Sequence, residues 1–466
     1  MIQAAKILEQ RSHLVPGKLK ITEHFFEVPR DYSNPASGTI QLFARSAIKA
    51  EKPADYDSKS ETDPKKKQLP WLLYLQGGPG FECRSPQNVS WTQTMLDKGY
   101  QVLMLDQRGT GLSTAISQSS LQLRGDEKVQ AEYMKSFRAD SIVRDCEAIR
   151  KALTASYPAD KQKFSIMGQS FGGFCCTTYL SFYPEGVKEA FVFGGLPPLT
   201  ASVDEVYTRL YAGVKQRNEQ YYTKYPEDVT RVKRIVKLLR RFGDTTVRVQ
   251  GGEGYFSARR FMQLGIYFGK HGGFDDVHNL VLRADTDLTQ FGHLTRPTVL
   301  ALEGAQSWDT NVIYALLHEP LYCLGDGGKS GWSAERMLQE KFPEFGLDKV
   351  DDEEEPVLFT GEMIYPFMFE CYPELTKLKT VGHLLAEAND WPKLYDEEQL
   401  RKNEVPMYAA VYMDDMYVDF NLSMETARTI KGCKPFVTNM MYHNGISAKT
   451  DEVLKEMFVL RDDVID

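Results

Sequence analysis

The chain has 466 residues, 42% hydrophobic and 26% charged, with 56 Lys+Arg against 64 Asp+Glu and a formal charge of -8. That hydrophobic share excludes a disordered chain, and the length allows a large core plus an insertion or second domain. A mildly acidic balance without a basic block argues against a nucleic-acid partner. No apolar run approaches the ~18–20 residues that span a bilayer, so no membrane partner is expected.

In chain order, the first residues, MIQAAKILEQRSHLVPGK, carry charges at Lys6 and Glu9 and have no uninterrupted apolar stretch. They do not read as a signal peptide. Seven cysteines (Cys83, Cys146, Cys175, Cys176, Cys323, Cys371 and Cys433) are an odd count without a CxxC pair. Free thiols in a reducing compartment are the expectation, and with them a cytoplasmic location.

Residues 18–49 alternate apolar and polar positions around PRDYSNPASG, which predicts one or two β-hairpins. The charged stretch AEKPADYDSKSETDPKKKQLP that follows reads as a solvated surface loop. Then the pattern changes. WLLYLQ (71–76), QVLMLD (101–106), FSIMG (164–168) and EAFVFGG (189–195) are short apolar runs bounded by Gly or Asp. Such runs suit strands buried on both faces of a parallel sheet. DSIVRDCEAIRKAL (140–153) lies between them with helical spacing, and Asp140 is placed to cap its N-terminus. Alternating strands and helices predict an α/β class with a mostly parallel sheet.

From Pro197 to about Tyr395 helical patterns dominate, as in VYTRLYAGVKQRNEQYY, VTRVKRIVKLLRRF and SARRFMQLGIYF. VPMYAAVYMDD (405–415) and KPFVTNMM (434–441) then return to buried strands, with ETARTIKG between them and a closing helix TDEVLKEMFVL. The expected organisation is a discontinuous catalytic domain, 1–196 and 397–466, interrupted by a mostly helical cap, 197–396. The short acidic run DDEEE (351–355) reads as a solvated loop face.

Gly168-Gln169-Ser170-Phe171-Gly172-Gly173 joins the strand FSIMG to the helix pattern FCCTTYLSFY. A nucleophile elbow needs that context: strand, tight turn, helix, and small residues flanking the serine. Ser170 is therefore the candidate nucleophile. Its oxyanion needs two N–H donors. Phe171 supplies one at the helix start, and the glycine loop Gln76-Gly77-Gly78-Pro79-Gly80 after WLLYL supplies the other, with Gly78 preferred.

The order Ser, Asp/Glu, His sorts the eight histidines. His13 and His24 precede Ser170 and are excluded. His271, His278, His293 and His318 fall in the insertion and read as surface or packing residues. His383, in VGHLLAEA, is a tempting base but sits on a helical segment before the last strands. His443 follows the final strand and is preferred. MYAAVYMDD ends in two candidate acids, Asp414 and Asp415; Asp415, three residues before Val418, is preferred.

Other motifs fail. GDGGKSG lacks the first glycine of a phosphate loop, His318-Glu319-Pro320 is not HExxH, and the 271–278 histidine spacing lies in a glycine-rich stretch. No GxGxxG opens a helix, so neither a metal nor a dinucleotide cofactor is expected.

At this point the chain resembles the proline iminopeptidases, in their long form, within the α/β-hydrolase superfamily. GGPGFECRSPQ (77–87), DQRGTGLS (106–113), GQSFGG (168–173), LHEPLYC (317–323), GEMIYPFMFE (361–370), DWPKLYD (390–396) and VYMDDMYVD (411–419) carry the resemblance in the same order over most of the chain. Phe171 departs from it, since shorter relatives usually have Trp there. The resemblance implies a peptide substrate with an N-terminal proline, and Glu319 and Glu362 as carboxylates for its amine, with Glu370 in reserve. It also suggests self-association, so a homo-oligomer is a possible partner state.

Overall fold

A computed structural model describes residues 2–50, 68–306, 308–325, 327–352 and 355–463. Most of the charged loop read at 50–70, and residues 353 and 354 of the acidic run, lie outside the described residues. Nine strands form one sheet: β1 Lys6–Val15, β2 Leu19–Pro29, β3 Thr39–Lys49, β4 Trp71–Leu75, β5 Gln101–Asp106, β6 Phe164–Gln169, β7 Val187–Phe193, β8 Met407–Tyr412 and β9 Cys433–Thr438. Their order across the sheet is β1-β2-β3-β5-β4-β6-β7-β8-β9. The first three strands and the β3–β5 pair are antiparallel, and everything from β5 to β9 is parallel.

The apolar runs explain this layering. Successive residues of a strand point to opposite faces, and here both faces are covered. Leu72, Tyr74, Met104, Met167 and Phe191 pack toward the helices Thr92–Asp97 and Thr450–Asp462. Leu73, Leu75, Leu105, Ile166 and Val192 pack toward Ala139–Leu153 and Phe171–Phe182. Every residue of β4, β5 and β8 is buried, and each large aliphatic among them is worth about 1.5–3 kcal/mol of transfer free energy.

Two local expectations need correction. The helix expected from Asp140 begins one residue earlier, at Ala139, and no side chain caps it. Asp140 instead sits buried in the first turn, where its negative charge meets the helix dipole, and its Oδ2 lies 3.2 Å from Arg144 Nη1. The sequence pattern also gave no sign of β1. That strand is exposed on both faces, so it lacks the alternation from which a strand is read.

Between β7 and β8 the chain is helical, with Val203–Lys224, Asp228–Arg240, Gly273–Phe291 and Ser333–Lys341 among its longer elements. Ser202 caps the first of these by accepting the Glu205 N–H at 3.2 Å. Val206, Tyr207, Leu210, Tyr211 and Val214 then recur at helical spacing and are buried in the core shared with one face of the sheet. Among the described residues, no helix is long and apolar enough to cross a membrane.

The site's position follows from the strand order. β4 lies between β5 and β6, so the chain leaves β4 to one side and later returns to the other. Ligands of open parallel sheets bind beyond the carboxyl ends of the strands at such a reversal. The loops after β4 and β6 carry Gly78 and Ser170.

Candidate active site

Ser170 occupies the turn between β6 and its helix with φ 54° and ψ -127°. A left-handed conformation in a residue with a Cβ costs on the order of 1–3 kcal/mol, and surrounding packing must hold it. Glycines supply that packing. A Cβ on Gly172 would come within 2.0 Å of the Leu75 carbonyl oxygen, and one on Gly168 within 2.3 Å of the Gly172 backbone. Only bare backbone lets strand and helix approach this closely. Phe171 begins the helix, so its N–H has no acceptor within the helix and points outward from the positive end.

The glycine loop after β4 lies directly against the elbow: a Cβ on Gly77 would sit 3.0 Å from the Ser170 Cβ. The DQRGTG motif fixes that loop. Asp106 Oδ1 accepts the Cys83 N–H at 2.9 Å, and Gln107 Nε2 donates to the Gln76 carbonyl at 3.0 Å. Arg108, fully buried, forms a forked pair with Asp145 at 2.7 and 2.6 Å.

Asp415, at the end of β8, and His443, after β9, meet at 2.7 Å between Oδ2 and Nδ1. The other oxygen of Asp415 accepts the N–H groups of Tyr417 and Val418, at 2.9 and 3.1 Å, which locks the carboxylate. Burial alone would lower the His443 pKa, but the charge and hydrogen bond of Asp415, then the charge of Glu362, raise it above 6.5. Gly194 and Gly195, after β7, link this pair to the nucleophile. A Cβ on Gly194 would lie 3.2 Å from Asp415 Oδ2 and 3.3 Å from His443 Nδ1, and one on Gly195 only 2.3 Å from the Ser170 carbonyl oxygen.

Glu362 accepts a hydrogen bond from the Tyr314 hydroxyl, and its second oxygen lies 3.5 Å from His318 Nε2. Glu319 is more enclosed. It accepts the N–H groups of Ala334 at 2.8 Å and Ser333 at 3.2 Å, so it anchors the start of the helix Ser333–Lys341. Burial raises its pKa to about 7, against the lowering effect of those hydrogen bonds. Both glutamates are close enough to raise the Tyr207 phenol, already raised by burial, and the Tyr207 hydroxyl lies 3.3 Å from His318 Nδ1. Glu370 is elsewhere, paired on the surface with Lys379 at 2.7 Å.

A cavity of about 230 Å³ adjoins these groups, walled by Phe81, Ile266, Tyr267, Trp308, Tyr314 and Tyr417. Tyr314 ties it to Glu362, and the Tyr417 ring meets the His443 ring edge-on at 4.6 Å. Tyr314, Tyr417 and His318 were not legible as site residues. His318 and Tyr417 stand inside the stretches 317–323 and 411–419 that carry the resemblance, whereas Tyr314 lies outside them and gave no signal.

His24, His383 and His278 have other contacts. Burial pushes His24 down to about 4, between Gln10 and Ser46. His383, on the helix Lys379–Glu387, accepts the Trp332 indole N–H at 3.0 Å. His278, Asp228 and Glu227 are close enough together to hold an ion. Asp228, however, already accepts the Tyr221 hydroxyl at 2.5 Å and pairs with Arg231 at 3.0 Å, which offsets its charge.

A serine elbow and an acid–imidazole pair beyond the carboxyl edge of a parallel sheet define an α/β hydrolase, and the family model described as "alpha/beta hydrolase fold" matches residues 70–246. A proline iminopeptidase of Aspergillus aculeatus is 45% identical over 100% of this chain and 99% of its own. A proline iminopeptidase of Aeromonas sobria is 38% identical over 97% of this chain and 99% of its own. The chain belongs to the proline iminopeptidase family.

Proposed function

We propose that the chain is a serine exopeptidase that releases proline from the N-terminus of peptides, with Ser170, His443 and Asp415 as its triad. The observation that carries this reading is the Asp415–His443 hydrogen bond with Glu362 acting on the same imidazole, beside an aromatic cavity. A base, an amine-binding charge and a ring-sized apolar wall then serve one short substrate terminus.

In this reading the secondary ammonium of the N-terminal proline pairs with Glu362, and Glu319, whose pKa burial raises to about 7, ionises behind it as the amine binds. Aromatic side chains of the helical cap, 197–396, enclose the ring. His443, neutral and oriented by Asp415, takes the proton from the Ser170 hydroxyl as its oxygen attacks the prolyl carbonyl. The N–H groups of Gly78 and Phe171 stabilise the oxyanion, each worth on the order of 10²–10³ in rate. Collapse of the tetrahedral intermediate breaks the C–N bond, and His443 gives its proton to the departing amine. Water, deprotonated by His443, then hydrolyses the prolyl ester and restores Ser170.

An acylated or internal proline brings no positive charge and would leave the glutamates unmatched, a penalty of several kcal/mol by order of magnitude. That is the basis for exopeptidase action. Six of the seven cysteines are buried, and buried thiols at low density suit a reducing, cytoplasmic setting. The test is Ser170→Ala: turnover of a proline-arylamide disappears while the thermal melt stays intact. Full activity in that variant would end the serine-hydrolase reading.

A further inference from the structure

We propose that Asn444 and Arg217 are positioning residues for His443: they fasten its loop to the cap segment 266–271, so that the wall of the substrate cavity and the base are held as one body. This role rests on the proposed triad and concerns how its imidazole is aimed.

The Asp415 hydrogen bond fixes one ring nitrogen of His443 and leaves the ring free to swing about that bond. Where Nε2 points therefore depends on the backbone of residues 439–444, a loop between β9 and the short helix Gly445–Ala448. Three successive residues of that loop are tied to the cap. The His443 N–H donates to the Gly269 carbonyl at 3.2 Å. Asn444 Oδ1 accepts the His271 N–H at 3.0 Å and lies 2.7 Å from His271 Nδ1. A carboxamide oxygen only accepts, so that ring nitrogen carries its proton and donates as well. The Tyr442 ring centroid lies 4.5 Å from the guanidinium of Arg217, whose Nε and Nη2 both donate to the Phe268 carbonyl, at 2.9 and 2.8 Å. Arg217 is buried and comes from the cap helix Val203–Lys224.

The same segment also holds the acid's loop. Tyr417, two residues after Asp415, donates to the Ile266 carbonyl, and a Cβ on Gly269 would lie 2.3 Å from the Tyr417 ring. Ile266, Tyr267 and Lys270 stand among these anchors and line the aromatic cavity. One short stretch of cap thus forms cavity wall and carries the fastenings of both catalytic loops. A misplacement of about 1 Å at a reacting group can cost roughly 10²-fold in rate, so these fastenings bear on turnover and not on stability alone.

The chemistry of the leaving group separates the two effects. His443 must be well aimed to protonate a departing arylamine, whereas a phenolate leaves without a proton. Loss of folded enzyme lowers kcat/KM for a proline-arylamide and a proline aryl ester alike, but a misaimed base lowers the amide value more. Asn444→Ala removes the acceptor of both His271 donors. It should cut the arylamide value roughly 10- to 100-fold and the ester value about fivefold less than that. Asn444→Asp keeps an oxygen acceptor at the same place and should return the amide-to-ester ratio to near the wild-type value. An unchanged ratio in Asn444→Ala overturns the proposal, and so does a ratio in Asn444→Asp as low as in Asn444→Ala. Should Asn444→Ala fail to melt cooperatively, Arg217→Lys, which keeps the charge but loses the fork on Phe268, decides by the same criterion. Ser170→Ala tells the two levels apart. Turnover retained there ends the triad reading, whereas a dead Ser170→Ala beside an unaltered ratio in Asn444→Ala ends only the positioning role.

Discussion

Replacing Asp415 by Asn removes one charge and leaves the local shape almost unchanged. The carboxamide oxygen can still accept the Tyr417 and Val418 N–H groups that Asp415 Oδ1 accepts. Its NH₂ then faces His443 Nδ1, 2.7 Å away in the wild-type chain. Two donors cannot share that hydrogen bond, so Nδ1 becomes the acceptor and the ring proton moves to Nε2, where the base is needed. The same tautomer fault in a Ser-His-Asp hydrolase costs about 10⁴ in kcat, roughly 5.4 kcal/mol on the barrier.

The pH profile gives a second reading of the same variant. In the proposed mechanism neutral His443 is the active form, so its raised pKa should place the acid limb of kcat/KM above 6.5 in the wild-type enzyme. Asp415→Asn removes the two contributions from Asp415 that raise it, and the limb of the residual activity should move to lower pH. The assay is proline-arylamide hydrolysis from pH 5 to 9, with a melt to show that the fold is kept. Activity within tenfold of wild type would refute the argument. So would a collapse in Asp414→Asn with Asp415→Asn unaffected.

Further outcomes follow from the same geometry. His443→Ala should abolish turnover, whereas His383→Ala should lose only the Trp332 hydrogen bond, about 1 kcal/mol of stability seen as a lower melting midpoint; the reverse pattern would overturn the choice of base. Glu362→Gln should raise KM for proline-arylamide at least tenfold and shift the acid limb of kcat/KM down, because Glu362 helps to raise His443. Gly172→Ala would force a Cβ to within 2.0 Å of the Leu75 carbonyl oxygen. It should cost at least about 1–3 kcal/mol in denaturant melts and weaken turnover, since the elbow must open.

How much was legible depended on whether a feature is local. The buried strands β4 to β8 announce themselves because each carries a short, nearly continuous apolar run, bounded by Gly or Asp in most of them. The elbow was readable for the same reason: the strand, Ser170 and the tight glycines are contiguous. β1 escaped because it buries neither face, and only its pairing with β2 makes it a strand. The Asp140 cap failed because the helix takes in one more residue than its apolar spacing marks. His318 was read as surface or packing. It is buried, but it also lies 3.5 Å from Glu362, a residue more than forty positions away in sequence. The aromatic walls, drawn from Phe81 to Tyr417, are likewise a product of tertiary folding that no window of sequence displays.

The central claim is that charge at a free prolyl amine, together with Ser170, defines the substrate. It is tested most directly by comparing kcat/KM for arylamides of proline, N-acetylproline and alanine on the wild-type chain. The account predicts efficient hydrolysis of the proline compound, a loss of at least about a hundredfold on acetylation, consistent with several kcal/mol for unmatched buried carboxylates, and a clearly lower value for alanine. Equal rates on proline and N-acetylproline arylamides would contradict it, and equal rates on alanine would leave an aminopeptidase of broader specificity on the same fold.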